Sequence, residues 1–123
     1  MKTILFLDDE LSILRTYQRI LKPYGIESFF ARNSKEAELI IEKHKVDLII
    51  SDYRLEQETG IDFLNRVRQK DREIPMIIIS GFADEDFIKM AMESKVIQGF
   101  YLKPINVNEF RSVIERYIPK ESL

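Results

Sequence analysis

Four short apolar runs each end on a polar side chain able to do chemistry, and this pattern narrows the fold more than any other feature. Ile4-Leu5-Phe6-Leu7 runs into Asp8-Asp9, and Leu48-Ile49-Ile50 runs into Ser51-Asp52. Met76-Ile77-Ile78-Ile79 runs into Ser80, and Phe100-Tyr101-Leu102 runs into Lys103-Pro104. Runs this short, separated by helical segments, read as buried strands of a parallel sheet. Parallel strands send their carboxyl ends to one edge, which is where open α/β sheets bind ligands. Asp8, Asp9, Asp52, Ser80 and Lys103 are therefore expected in one pocket.

The intervening segments have helical periodicity. Strands are expected at 3–7, 26–30, 47–51, after Pro75, and at 97–102. Leu14, Tyr17 and Leu21 mark one face of a first helix over 11–21, stopped by Pro23 and Gly25. Asn33 with Glu36, and Asn106 with Glu109, are capping-type helix starts. Ala37, Ile40 and Ile41 follow the former; Val107, Phe110, Ile114 and Tyr117 follow the latter, up to Pro119. Ile61, Leu64 and Val67 mark a third helix. Phe87, Ile88, Ala91 and Met92 are the expected apolar members of a fourth, starting at Ala83 or Asp84. Five βα units joined by short crossovers predict a doubly wound (βα)5 three-layer sandwich around a five-stranded parallel sheet.

At 123 residues the chain fits one domain, read as residues 1–119, with 120–123 a frayed end or the start of a linker. A net charge of −2, with both signs interspersed, argues against a nucleic-acid footprint. The absence of cysteine excludes disulfides, thiol catalysis and the usual structural zinc site. Too few apolar residues precede Asp8 for a signal peptide, and no run nears the roughly 20 that span a bilayer. A cytoplasmic protein is expected.

Each pocket residue has a chemical reading and a plainer one. Asp8, Asp9 and Asp52 would repel one another unless a cation sits between them. Mg²⁺ suits such a set, because it takes one or two carboxylates, waters and phosphate oxygens. Asp8-Asp9-Glu10 also reads as an acidic helix start. Asp52 suits a nucleophile toward a phosphoryl group, or a loop cap. The Lys103 ammonium suits a fixed partner for phosphoryl oxygens, or plain solvation. Pro104 restricts the residue before it, and a cis bond there would aim the lysine inward. Ser80 is a hydroxyl donor to the same oxygens, or a turn residue before Gly81. His44, the only histidine, reads as a solvated cation at a helix end.

In this order and spacing, the acidic pair, Asp52, Ser80 and Lys103-Pro104 resemble the receiver domain of two-component response regulators over essentially the whole chain. Phe100, three residues before the lysine, and Gly60, closing the loop after Asp52, extend the match. The resemblance implies a flavodoxin-like sheet of order 2-1-3-4-5 and Asp52 as phosphoacceptor. It implies a histidine kinase or phosphotransfer protein as donor, with acetyl phosphate as a small substitute. Asp8, Asp9, Asp52 and the Arg54 backbone carbonyl would hold Mg²⁺, with Mn²⁺ as a substitute. Ser80 and Lys103 would bind the phosphoryl oxygens.

Ser80 and Phe100 would form a switch reshaping the helix 4, strand 5 and helix 5 face, and Tyr101 would face the other side of its strand. Arg54 and Phe82 would tune the lifetime of the phosphoryl group. Such a chain catalyses only its own phosphorylation and dephosphorylation. Its expected partners are the donor and an effector domain or protein, with a phosphorylation-dependent homodimer, and neither nucleic acid nor membrane. The loop from Tyr53 to Gly60 departs from the family by lacking Pro, which bears on its rigidity and on kinase specificity.

Two rival readings stand beside this one. A Mg²⁺-dependent small-molecule phosphatase or phosphotransferase using an aspartyl phosphate, similar to the haloacid dehalogenase group, wants Asp-x-Asp where this chain has an adjacent pair. It also wants spare length for a cap. A non-phosphorylated receiver-like binding module wants a lost Asp or Lys, and none is lost. Phe100 equally suits plain core.

Overall fold

The computed structural model describes residues 2–71, 73–81 and 84–118. Strands and helices alternate as β1 (Thr3–Leu7), α1 (Leu11–Leu21), β2 (Glu27–Ala31), α2 (Ser34–Lys43), β3 (Leu48–Ser51), α3 (Gly60–Lys70), β4 (Met76–Ser80), α4 (Glu85–Glu93), β5 (Gly99–Leu102) and α5 (Val107–Tyr117). The strands form one sheet of order β2-β1-β3-β4-β5. Every pairing is parallel. This is the expected flavodoxin-like order, with β1 and β3 adjacent although α1, β2 and α2 separate them in sequence.

Both faces of the sheet are covered, which is why the central strands β1, β3 and β4 are buried along their whole length and read as apolar runs instead of alternating, while the edge strands β2 and β5 are only partly buried. Ile4, Phe6, Ile50, Ile77 and Ile79 pack toward α1 and α5, against Leu14, Tyr17, Phe110 and Ile114. Leu5, Leu7, Ile49, Met76 and Ile78 pack toward the other three helices, against Ala37, Phe63, Leu64 and Ala91. Helix starts are fixed by side-chain caps: Asn33 accepts from the Glu36 amide at 2.9 Å, and Asn106 from the Glu109 amide at 2.7 Å. Thr59 and Asp84 do the same for α3 and α4. After α1 a short 3₁₀ turn, Lys22–Tyr24, ends on Gly25 at φ 66°, a left-handed position that favours glycine.

Some expectations shift. β2 lies one residue later than expected. The run 97–102 is strand only from Gly99, because the Val96 and Ile97 amides donate back to the Ala91 carbonyl and complete the end of α4. The apolar face expected of α4 is largely solvent-facing: Phe87 is 55% exposed, Met90 63% and Met92 41%. Of this helix, only Ala91 and the half-buried Ile88 reach the core. His44 caps the end of α2 with its ring against Phe29, centroids 4.3 Å apart.

Candidate functional site

Strand register places the polar ends together. Leu7 pairs with Ser51, so Asp8 and Asp52 emerge side by side. Ser80 pairs with Leu102, so Lys103 emerges next to it, and the Lys103 amide donates to the Ser80 carbonyl at 2.9 Å. The Lys103 ammonium then reaches across the edge. Its Nζ lies 2.7 Å from Asp8 Oδ2, 3.1 Å from Asp52 Oδ2 and 3.5 Å from Glu10 Oε1. Ser80 Oγ donates to the other Asp52 oxygen, Oδ1, at 2.5 Å. The Lys103–Pro104 peptide is cis.

The site is acidic and partly dry. Burial raises the Asp8 carboxyl above its ordinary range, against the opposing pull of Lys103 and of the Glu10 amide bound to it. Burial alone would lower the Lys103 ammonium, but its hydrogen bonds to Asp8 and Asp52 prevail and raise it. Beneath the carboxylates lies the ring of Tyr17, stacked on Phe6 at 5.1 Å and on Phe110 at 4.6 Å. Burial pushes its hydroxyl up to about 12. Asp8, Asp9, Glu10 and Asp52 each offer an oxygen, all within 4.8 Å of one another. A cluster of hard oxygen donors with one ammonium to neutralise it fits a small divalent cation.

The remaining expected residues lie around this centre. Asp9 and Arg54 line one cleft at the sheet edge. Gly60 must be glycine for a steric reason: a Cβ there would lie 2.2 Å from the Asp52 carbonyl oxygen. Phe100 is half-buried and packs with the core beneath α3 and α4, while Tyr101 packs on the opposite face. Phe82 lies outside the described residues. Glu10 belongs to the acid cluster, although the expected ligands are Asp8, Asp9, Asp52 and the Arg54 carbonyl. Its signal was the third consecutive acid, set before α1 begins at Leu11.

The fold and the edge pocket together define a doubly wound α/β protein with an acidic, lysine-bearing site at the carboxyl ends of its strands. The family model for the response regulator receiver domain matches residues 4–115, and the chain belongs to that family. Sporulation initiation phosphotransferase F of Bacillus subtilis is 29% identical over 119 residues, covering 97% of this chain and 95% of that protein. The autoinducer 1 sensor kinase/phosphatase LuxN of Vibrio campbellii is 27% identical, and the match covers 98% of this chain but 14% of that protein. Among solved structures, the signal receiver domain of an HD domain-containing protein from Pseudomonas fluorescens Pf-5 superposes with a TM-score of 0.89 at 27% identity, covering 99% and 98% of the two chains. The chain is thus a receiver domain of two-component signalling, a signalling module and not a metabolic enzyme. Among the described residues, no helix is long and apolar enough to cross a membrane.

Proposed function

We propose that the chain is a phosphorylation-dependent switch that accepts a phosphoryl group on Asp52. One observation carries this reading: the two Asp52 oxygens are held separately, Oδ1 by the Ser80 hydroxyl and Oδ2 by the Lys103 ammonium. An Asp52 oxygen attacks phosphorus and forms a new O–P bond. The bond to the donor breaks, N–P in a phosphohistidine or O–P in acetyl phosphate, and the leaving group keeps the electron pair. Ser80 and Lys103 need only short movements to follow the charge onto the phosphoryl oxygens. Water attack on phosphorus later restores the carboxylate and releases inorganic phosphate.

Asp8, Asp9, Asp52 and the Arg54 carbonyl would hold Mg²⁺ or Mn²⁺, with Glu10 in reach as a further oxygen donor. When bound, the ion supplies the positive charge that lets phosphate approach so acidic a pocket. The donor is a histidine kinase or phosphotransfer protein, in keeping with a full-length relative named as a phosphotransferase. Movement of Ser80 toward the phosphoryl group opens space for Phe100, and the α4–β5–α5 face changes shape. The exposed Phe87, Met90 and Leu102 on α4 and β5 make that face suited to an effector or to a second copy. The protein acts in the cytoplasm without binding nucleic acid directly. Arg54 shields the phosphoryl group from water, so Arg54→Ala, which keeps the backbone carbonyl, should speed dephosphorylation several-fold; an unchanged rate rejects that role.

The test is intact mass after incubation with acetyl phosphate and Mg²⁺. One adduct of about 80 Da, abolished by EDTA and by Asp52→Asn, is the expected result. An adduct that survives Asp52→Asn would overturn the assignment.

A further inference from the structure

The loop carrying Arg54 lacks proline, yet it is closed by contacts. The Gly60 amide donates to the Tyr53 carbonyl at 2.5 Å, Arg54 bridges Thr59, and the Leu55 amide donates to the Glu58 carbonyl at 3.0 Å. The loop is therefore a miniature hairpin whose tip is Leu55 to Glu58. Peptides are planar, and the one between Arg54 and Leu55 is trans. Holding the Leu55 N–H on Glu58 thus turns the Arg54 carbonyl the opposite way, out of the hairpin. The direction of that carbonyl depends on where Glu58 sits.

Glu58 is tied to two helices. Arg66, on α3, grips its carboxylate with both terminal nitrogens, Nη1 on Oε1 and Nη2 on Oε2, the latter at 2.8 Å. The same Nη2 reaches Glu38 Oε1 of α2 at 3.0 Å. Bidentate contacts of this kind fix orientation as well as distance. The Glu58 side chain is 18% exposed and that of Arg66 48%, so the pair is partly screened by solvent and its weight lies in the orientation it imposes.

We infer that Arg66 and Glu58 are positioning residues for the ion site, fixing the Arg54 carbonyl through the Leu55–Glu58 hydrogen bond. The inference rests on the proposed use of that carbonyl as an ion ligand. It replaces loop proline with a side-chain clamp tied to α2 and α3. It also makes a prediction opposite to simple electrostatics. Removing a cation from the neighbourhood of an acid cluster should strengthen cation binding, whereas loosening a ligand-bearing loop should weaken it.

The experiment is calorimetric titration of Mg²⁺ into the protein and its Arg66→Ala variant, with amide exchange at Leu55 measured without the ion. Melting curves verify folding, and Arg66→Lys, which keeps the charge but loses the bidentate grip, serves if the alanine variant does not fold. The expected result is roughly tenfold weaker Mg²⁺ binding, as for loss of a group that orients a metal ligand, with faster exchange at Leu55. Unchanged or tighter binding in the variant, alongside normal binding by the unaltered protein, overturns the clamp alone. No Mg²⁺ uptake by the unaltered protein overturns the reading of the site, and the clamp's role with it.

Discussion

Ser80 Oγ rests 2.5 Å from Asp52 Oδ1, so the hydroxyl at the end of β4 is already bound to the carboxylate at the end of β3 before any transfer. As charge moves outward onto a phosphoryl group, this donor follows it at little reorganisation cost. Ser80→Ala removes the hydroxyl of a residue that is 2% exposed and leaves its β-carbon in place at the end of β4. The phosphorylation rate with acetyl phosphate should fall by roughly a hundredfold, the usual effect of losing one preorganised donor. Adduct formation followed by mass over time measures it. A rate equal to that of the unaltered protein would remove Ser80 from the mechanism.

Lys103 is the counter-charge to Asp8 and Asp52, and its removal leaves two partly buried carboxylates facing each other. Lys103→Met should cost about 3 kcal/mol of stability in EDTA, the low end for breaking a buried pair. Added Mg²⁺ should return part of that loss, since a cation can take over the ammonium's place. The pH dependence has a definite sign. The Lys103 pKa is raised above 10.5 in the folded protein, so its contribution is complete below 10.5 and lost as pH climbs through the higher folded value. Urea denaturation should show a constant gap between the two proteins around neutral pH, narrowing in strong alkali as Lys103 loses its proton and in acid as the Asp8 carboxylate gains one. A gap that closed near neutrality would contradict the ion-pair account.

Gly60 opens α3 directly beside the backbone of Asp52. A methyl group there would meet the Asp52 carbonyl oxygen at 2.2 Å and Ser51 Oγ at 3.0 Å, and the carbonyl belongs to rigid main chain. Gly60→Ala must therefore displace the residue that bears the acceptor carboxylate. We expect a loss of about 3 kcal/mol, the upper part of the overpacking range, and slower phosphorylation of Asp52. Denaturation midpoints and adduct kinetics check the two effects separately. An alanine variant as stable as the parent would mean the loop yields more easily than its hydrogen bonds imply.

What could be read from sequence follows from how far each feature depends on periodic structure. Asp8, Asp52, Ser80 and Lys103 were legible because parallel strands bring their carboxyl ends to one edge whatever the intervening segments do. The Arg66–Glu58–Glu38 contacts were not legible, because they join an aperiodic loop to two helices and no spacing rule links their positions. Glu10 was half-visible as an acid, but its place in the cluster depends on where α1 starts. The exposure of the α4 face was not legible for a different reason. Apolar spacing reports that a helix has an apolar face, and says nothing of whether that face meets the sheet or solvent. Phe82 lies outside the described residues, so its expected role has no structural counterpart here.

The exposed apolar side chains of α4 separate surface from core in a way stability can test. Phe87 and Met90 are 55% and 63% exposed, whereas Ala91 between them and the sheet is 4% exposed. Phe87→Ser and Met90→Ser should each change unfolding free energy by no more than about 0.5 kcal/mol, as for surface substitutions generally. Ala91→Leu should cost about 1–3 kcal/mol, because Ala91 sits within the packed core and the added atoms overpack it. The two serine variants should also phosphorylate at the parental rate, since neither touches the pocket. If the phosphorylated protein associates, through this face, with a second copy, sedimentation should show the association weakened in both variants. Association unchanged by both substitutions would place the contact elsewhere, and a large stability loss in either would return these residues to the core.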